Sequence, residues 1–458
     1  MNSLPPVNAG ARLDRLPICA FHRRIMWLIG VGMFFDGFDI YVAASVLGAT
    51  LKSGFSSLSQ NAEFVSVTFV GMMLGSFLTG FLGDRYGRRF TYQGNLAIFG
   101  LASIASAFAP SMNVLILLRF VMGAGLGAEN VVGYSTMTEF VPPQARGKWL
   151  GAISVFVVGG LPVTGLLGTL IIPRFGWRVM FVLGGIGALV VWYLRKALPE
   201  SPRWLESIGR REEAEAILQS VEREVSRAGE TLPPPAPPSP APSRRLGSLV
   251  GPALLPRMIL GATTLIVINT LIYGFVTWLP TFFVQEGQSI ASSLSYALVI
   301  SLGAPLGSAI GAYTADSWGR KPTILGASLL TIIMGAIYPF VSHPAVFLTI
   351  GFLLIIPIYV LVTLLFAIYI PELFPTEVRM RAAGICNTFG RGATIITPFI
   401  VVALLRAHGI GGVLGFMIAL LVVQILVVLF FGVEPKQRRL EELDSEAPAP
   451  CQTASTRS

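Results

Sequence analysis

The chain has 458 residues, 53% hydrophobic and 12% charged, with a mean hydropathy of +0.70 and a formal net charge of +9. Soluble domains carry about 25% charged residues, so most of this chain is composed for lipid and not for one aqueous core. Cys19, Cys386 and Cys451 are too few and too scattered for a disulfide framework, and no paired His or Cys spacing offers a metal site. The basic excess sits in short loops between apolar runs, where membrane topology places it, which argues against nucleic acid.

A membrane span needs about 20 mostly apolar residues. The first such run, 25–49, is longer than a signal-peptide core and no cleavage site follows it promptly, so it is expected to be retained. Runs at 64–83, 90–110, 113–137, 149–171 and 178–197 follow. A polar segment then opens Pro199-Glu200-Ser201-Pro202-Arg203-Trp204 and continues as a charged amphipathic helix to Arg227. The Pro-rich stretch 233–240 after it reads as an extended polyproline-type linker. Six further runs stand at 257–283, 291–314, 323–341, 346–370, 384–405 and 411–433. This predicts an all-α membrane protein of twelve transmembrane helices in two six-helix bundles. Its parts are an N-terminal tail 1–24, a bundle 25–197, a linker 198–256, a bundle 257–433 and a disordered tail 434–458.

Lysine and arginine set the orientation. With the N-terminus inside, 27 of the 33 fall in inner segments and 4 (Lys52, Arg174, Arg178 and Arg406) in outer loops, which places both termini in the cytoplasm. The two bundles also repeat. Asp84-Arg85-Tyr86-Gly87-Arg88-Arg89 after the second span returns as Asp316-Ser317-Trp318-Gly319-Arg320-Lys321 after the eighth, 232 residues on. Glu139-Phe140-Val141-Pro142 with Arg146 returns as Glu372-Leu373-Phe374-Pro375 with Arg379, 233 residues on. Such a displaced repeat points to a transporter with its site at the interface of the halves.

Five ionisable residues lie far enough inside predicted spans to be buried by position: Asp36, Asp39, Arg119, Glu129 and Arg391. Such residues are costly in a bilayer, face the bundle interior and mark ion or substrate pathways; helix-to-helix pairing is the plainer reading of any single one. Asp36 and Asp39 share a helix face, with Gly37 allowing close approach of a neighbour. At 1.5 Å per residue, Asp39 lies roughly 15 Å and the Arg119 backbone roughly 9 Å below the outer end, within reach of a pair. Burial disfavours a carboxylate and a nearby guanidinium favours it, so a bond made and broken as the bundles rock would load and release a proton. Asp39 with Arg119 is the expected proton-coupling pair. Asp36 is expected to be a second coupling or binding acid. Glu129, roughly 24 Å below the outer end, and Arg391, roughly 10 Å above the inner face, come to matching depths. They are expected to meet or to engage a substrate carboxylate together, against the alternative of separate pairs within each half. Asn269, Tyr273 and Tyr359 are further substrate-binding candidates, with Thr363 and Tyr369 near them and Trp278 expected at the membrane interface. Asp84, Arg88, Glu139, Arg146, Asp316, Arg320, Glu372 and Arg379 read either as cytoplasmic gates or as determinants of topology. No catalytic residue, metal or cofactor is expected.

On the two loop motifs, the chain resembles the major facilitator superfamily over about residues 22–434. Pro199-Glu200-Ser201-Pro202-Arg203 and Pro371-Glu372-Leu373-Phe374-Pro375 are similar to sugar-porter signatures. Gly37-Phe38-Asp39 and Arg119 align with the acid and arginine of the sugar-porter first and fourth spans. Sugar porters, however, carry a Gln pair in span seven, where this chain has Ile266-Val267-Ile268-Asn269-Thr270, and a Trp in span ten that is missing here. Asp36-Gly37-Phe38-Asp39 looks like an element of carboxylate symporters, and Gly127-Ala128-Glu129 like one of metabolite symporters, within the metabolite:proton and aromatic acid:proton symporter relatives of the sugar porters. The resemblance implies the major facilitator fold and proton-coupled uptake of a small organic acid by a monomer in a bacterial inner membrane. The alternatives are a sugar or polyol:proton symporter, or a proton-antiport exporter of drugs or metabolites. The expected partners are the substrate, protons and membrane lipid.

Overall fold

A computed structural model describes residues 7–227, 230–235, 254–285, 287–341, 343–374 and 379–434. The described residues are almost wholly helical. In chain order the helices are α1 (Ala9–Asp14), α2 (Ala20–Lys52), α3 (Leu58–Tyr86), α4 (Arg88–Ala107), α5 (Met112–Phe140), α6 (Pro143–Phe175) and α7 (Arg178–Leu194). Then come α8 (Pro202–Ser207), α9 (Arg211–Arg227), α10 (Leu255–Gly274), α11 (Leu279–Gln285), α12 (Ile290–Ser301) and α13 (Gly303–Ser317). The last are α14 (Arg320–Ile337), α15 (Pro344–Val362), α16 (Ile370–Leu373) and α17 (Arg379–Phe431).

Ten helical stretches among the described residues are long and apolar enough to cross a membrane. One of them, Ala382–Phe431, spans both runs 384–405 and 411–433; Gly409, at φ 63°, bends it between the two. The run 90–110 is helix α4, which is not among the ten. Three other runs are helical with interruptions. A 3-10 turn at Val276–Trp278 joins α10 to α11, Leu302 separates α12 from α13, and a π-helix at Thr363–Tyr369 joins α15 to α16. The wide turn has a local cause: Pro371 has no N–H for the carbonyl four residues back, inside that segment. The predicted tail 1–24 contains helix α1 and the start of α2.

Each half is held by close helix pairs: α2 with α6, α3 with α5 and α4 with α7 in the first, α10 with α17 and α13 with α15 in the second. The halves meet where α6 touches α12 and α13, α2 touches α11, and α3 touches α17. The internal repeat persists in the backbone. Gly87 (φ 96°) turns α3 into α4, and Gly319 (φ 103°) turns α13 into α14, conformations that favour glycine. At both places a carboxylate caps the new helix. Glu200 accepts from the Arg88 and Arg89 amides, and Glu434 accepts from the Arg320 and Lys321 amides at 2.9 and 2.8 Å. The face of the molecule carrying α1, α8 and α9 is called proximal below, and the opposite face distal.

Candidate functional site

The first acidic pair forms. Asp39 on α2 and Arg119 on α5 are each 1% exposed, and Arg119 Nη1 donates to Asp39 Oδ2. Arg119 Nη2 donates to the Asp39 carbonyl at 2.9 Å and Nε to Thr68 Oγ1 on α3 at 3.0 Å. The guanidinium also lies 5.1 Å from the Phe64 ring centre. It is therefore held by three acceptors and a π face, with one anionic oxygen among them. Gly37 sets the frame. A Cβ there would stand 2.0 Å from the Val157 carbonyl oxygen, so only glycine lets α2 approach α6 this closely.

The expected meeting of Glu129 and Arg391 does not form. Glu129 on α5 accepts from Arg195 Nη1, at the turn that follows α7 in the same half. Arg195 is fixed further by donating from Nε to the Leu28 carbonyl and from Nη2 to the Ile29 carbonyl, at 2.9 and 3.0 Å. It lies 4.5 Å over the Tyr92 ring. Gly32 makes the room: a Cβ at that position would overlap the guanidinium. Arg195 was missed because it sits beside Lys196 at the end of a predicted span, where a basic pair reads as a topological anchor. The available signal was its position two residues inside the predicted boundary. Asp36, fully buried on α2, has no hydrogen-bond partner for either carboxylate oxygen among the described residues.

Arg391 of α17 points instead across the interface between halves, with Nη1 3.6 Å from Met72 Sδ on α3. Among the described residues it pairs with no carboxylate, and Tyr273 is its electrostatic neighbour. Aromatic side chains close the interface distal to it. Tyr273 stacks edge-on to Phe69 at 4.3 Å, and the Tyr359 hydroxyl donates to that of Tyr41 at 2.9 Å. Lys52 Nζ then donates to the Gln288 carbonyl at the distal rim. Asn269 is turned away, donating to the Leu265 carbonyl of its own helix and packing on Gly390. Thr363 bonds Ser308 at 2.7 Å, and Tyr369 donates to the Val433 carbonyl. Trp278 is not an interfacial residue: it is 1% exposed, in the 3-10 turn packed against α2.

At the proximal face Arg88 bonds Glu139 at 3.2 Å and Arg320 bonds Glu372 at 2.9 and 3.0 Å. Both pairs join elements of one half. The side chains of Asp84, Arg146, Asp316 and Arg379 lie outside the described residues. Helix α1 is bolted to α9 through Arg12 with Glu215 and Glu222, and Arg15 with Glu222. Its first amides are capped by Glu206, and Asp14 pairs with Arg203.

Comparison with known proteins agrees with this architecture. A family profile described as Major Facilitator Superfamily matches residues 29–398. The chain is 38% identical to the inner membrane metabolite transport protein YdjE of Escherichia coli (strain K12), over 95% of this chain and 98% of the relative. It is 30% identical to the niacin transporter NiaP of Acinetobacter baylyi, over 94% of this chain and 99% of that one. The partially occluded, inward-open xylose transporter XylE from E. coli superposes with a TM-score of 0.75 at 18% identity, over 92% of this chain and 100% of the other, a likeness of fold. With its spans, its repeat and its end-to-end relatives, the chain belongs to the Major Facilitator Superfamily and is a multi-pass integral membrane transporter, not an enzyme.

Proposed function

We propose that this transporter imports a small carboxylate metabolite together with protons, working by alternating access with both termini in the cytoplasm. The observation that carries the substrate class is Arg391, a guanidinium at the junction of the halves whose nearest polar contact is a thioether. A half-buried cation with no carboxylate partner among the described residues favours a counter-charge. A substrate carboxylate would supply it, and guanidinium matches carboxylate geometry in two parallel bonds. The aromatic wall of Tyr273, Phe69, Tyr41 and Tyr359 suits a flat ring carrying that carboxylate. Niacin, which a relative's name gives as its cargo, is such an acid.

Asp39 and Arg119 supply the coupling. While Arg119 holds Asp39 the carboxylate is stable without a proton. Loss of that contact during rocking leaves a buried acid that takes one up. The halves then turn inward and the pair re-forms, releasing the proton inside. Glu129 with Arg195 stands behind this pair, and the proximal Arg88–Glu139 and Arg320–Glu372 pairs each brace one half internally.

A pH-pulse assay in proteoliposomes tests the reading, with nicotinate, benzoate, dicarboxylates and sugars in turn. Substrate-triggered external alkalinisation is expected with a monocarboxylate, and Arg391→Gln should raise its KM at least tenfold while Arg391→Lys recovers part of the loss. Proton movement triggered by sugars alone, or an unchanged KM in Arg391→Gln, would refute it.

A further inference from the structure

The buried cluster proximal to Asp39 is out of charge balance. Arg119 serves Asp39, which leaves one guanidinium, Arg195, for two more buried acids, Asp36 and Glu129. Each nitrogen of that guanidinium is engaged: Nη1 by Glu129, Nε and Nη2 by the carbonyls of Leu28 and Ile29. None of these bonds goes to Asp36, and among the described residues neither of its two buried oxygens nor Glu129 Oε2 has a hydrogen-bond partner. The groups that face Asp36 electrostatically are Glu129 of α5, Arg195 after α7, Asp39 of its own helix, and the phenols of Tyr92 on α4 and Tyr134 on α5. Tyr134 is already bonded to Ser154 of α6 at 3.2 Å.

An ionised carboxylate removed from water with no donor on either oxygen is among the costliest arrangements a protein can hold, whereas a carboxylic acid in the same place bears no Born penalty. Two acids beside one cation keep neutrality by sharing a single proton, and that proton belongs to the cluster as a unit. We propose that Asp36, Glu129 and Arg195 form a second proton-binding site of this transporter, occupied by one proton that rests on Asp36 in the present conformation. As a stage of the transport cycle the site rests on the proton-coupled reading above; as a bound proton it stands by itself. Two protons entering with one monoanion would carry a net positive charge inward, so that the membrane potential and the pH gradient would both drive uptake.

The test is infrared spectroscopy of the purified full-length protein in detergent at neutral pH, compared in H2O and D2O. The wild type should show the deuterium-sensitive carbonyl band of a protonated carboxylic acid. Asp36→Asn should lose it. Glu129→Gln should lose it as well, because Arg195, released from Glu129, turns to Asp36 and ionises it. A merely structural Asp36 would not respond to a change at Glu129. If Asp36→Asn fails to fold, Asp36→Glu serves in its place and should keep the band at a shifted frequency. A wild type without the band, or its persistence in Asp36→Asn or Glu129→Gln, overturns the proposal. The measurement needs no substrate, so its failure is distinct from failure of the transport reading, which would appear as absent proton movement in the pH-pulse assay.

Discussion

Replacing Asp39 by Asn removes the charge of the proposed coupling acid and keeps most of its hydrogen bonding. The Asn amide oxygen still accepts from Arg119 Nη1, and the backbone carbonyl at that position and Thr68 Oγ1 keep their bonds to Nη2 and Nε. Arg119 is left without its counter-charge, so the loss of stability should reach at most the ~3–5 kcal/mol of a buried pair broken outright, and the bonds that remain should reduce it. Each remaining bond to the cation is worth about 1.5–3 kcal/mol. The loss of coupling should be complete. One proton moving down one pH unit supplies about 1.4 kcal/mol, a factor of about ten in accumulation. With two pH units imposed across proteoliposomes, even one coupled proton sets a ratio of roughly one hundred. In Asp39→Asn the acid imitates its protonated form permanently. The halves then rock whether or not a proton is bound, and the ratio should fall to about one. Equilibrium counterflow of labelled acid should persist, because exchange needs rocking but no proton. Accumulation retained by Asp39→Asn, or counterflow lost while the protein stays folded, would refute the assignment.

Three further outcomes are expected. Arg195→Met strands two buried acids and should destabilise the protein by about 3–5 kcal/mol, seen as a lower Tm in detergent; an unchanged Tm would show that the cluster is not electrostatically coupled. Gly37→Ala forces α2 and α6 apart against the Val157 carbonyl and should cost about 1–3 kcal/mol, with Gly37→Val worse; thermal melts and surface expression read both. The bolt between α1 and α9 should open in acid. Bonds from Arg12 hold the Glu215 carboxyl below its ordinary value; at Glu222 burial opposes the shift, but Arg12 and Arg15 outweigh it. A depressed carboxyl contributes its stability at neutral pH and loses it as pH falls through its folded value, which lies below the ordinary glutamate range. Hydrogen-exchange protection of Ala9–Asp14, measured against the intrinsic rate at each pH, should therefore be high at pH 7 and fall in acid, and protection that survived full protonation of the carboxylates would contradict the role given to these pairs.

The spans were legible because hydropathy responds to composition alone, and the loop repeat because glycine and charge recur at one displacement. Asp39 and Arg119 were legible for a related reason: a charge inside an apolar run is costly enough to require a partner, and depth along two neighbouring helices limited the choice. Depth alone misled at Glu129. Arg391 matches its level but lies in the other half, and what decides the partner is the direction around the helix axis, set by how α2, α4 and α5 pack. Hydropathy carries no such information. Arg195 illustrates the same limit. Its long side chain reaches back from the end of α7 into the bundle, bonding carbonyls of α2. From sequence the same residue is an ordinary flanking cation. Nor did hydropathy betray the π-helix before Pro371 or the turn that buries Trp278, since both preserve an apolar run while changing which side chains face inward.

The aromatic seam has a mechanical consequence. The proximal ion pairs Arg88–Glu139 and Arg320–Glu372 are each internal to one half, so a tilt of the halves leaves them whole. Apart from the bond of Lys52 to the Gln288 carbonyl at the exposed rim, what must part on the distal side is a phenol pair and a ring contact, Tyr41 with Tyr359 and Phe69 with Tyr273, both neutral. Water entering that cleft rehydrates two hydroxyls and leaves no bare charge behind. The door toward the distal side thus swings on groups that tolerate wetting and drying alike, while in the proposed cycle the proton-carrying acids all lie within the first bundle.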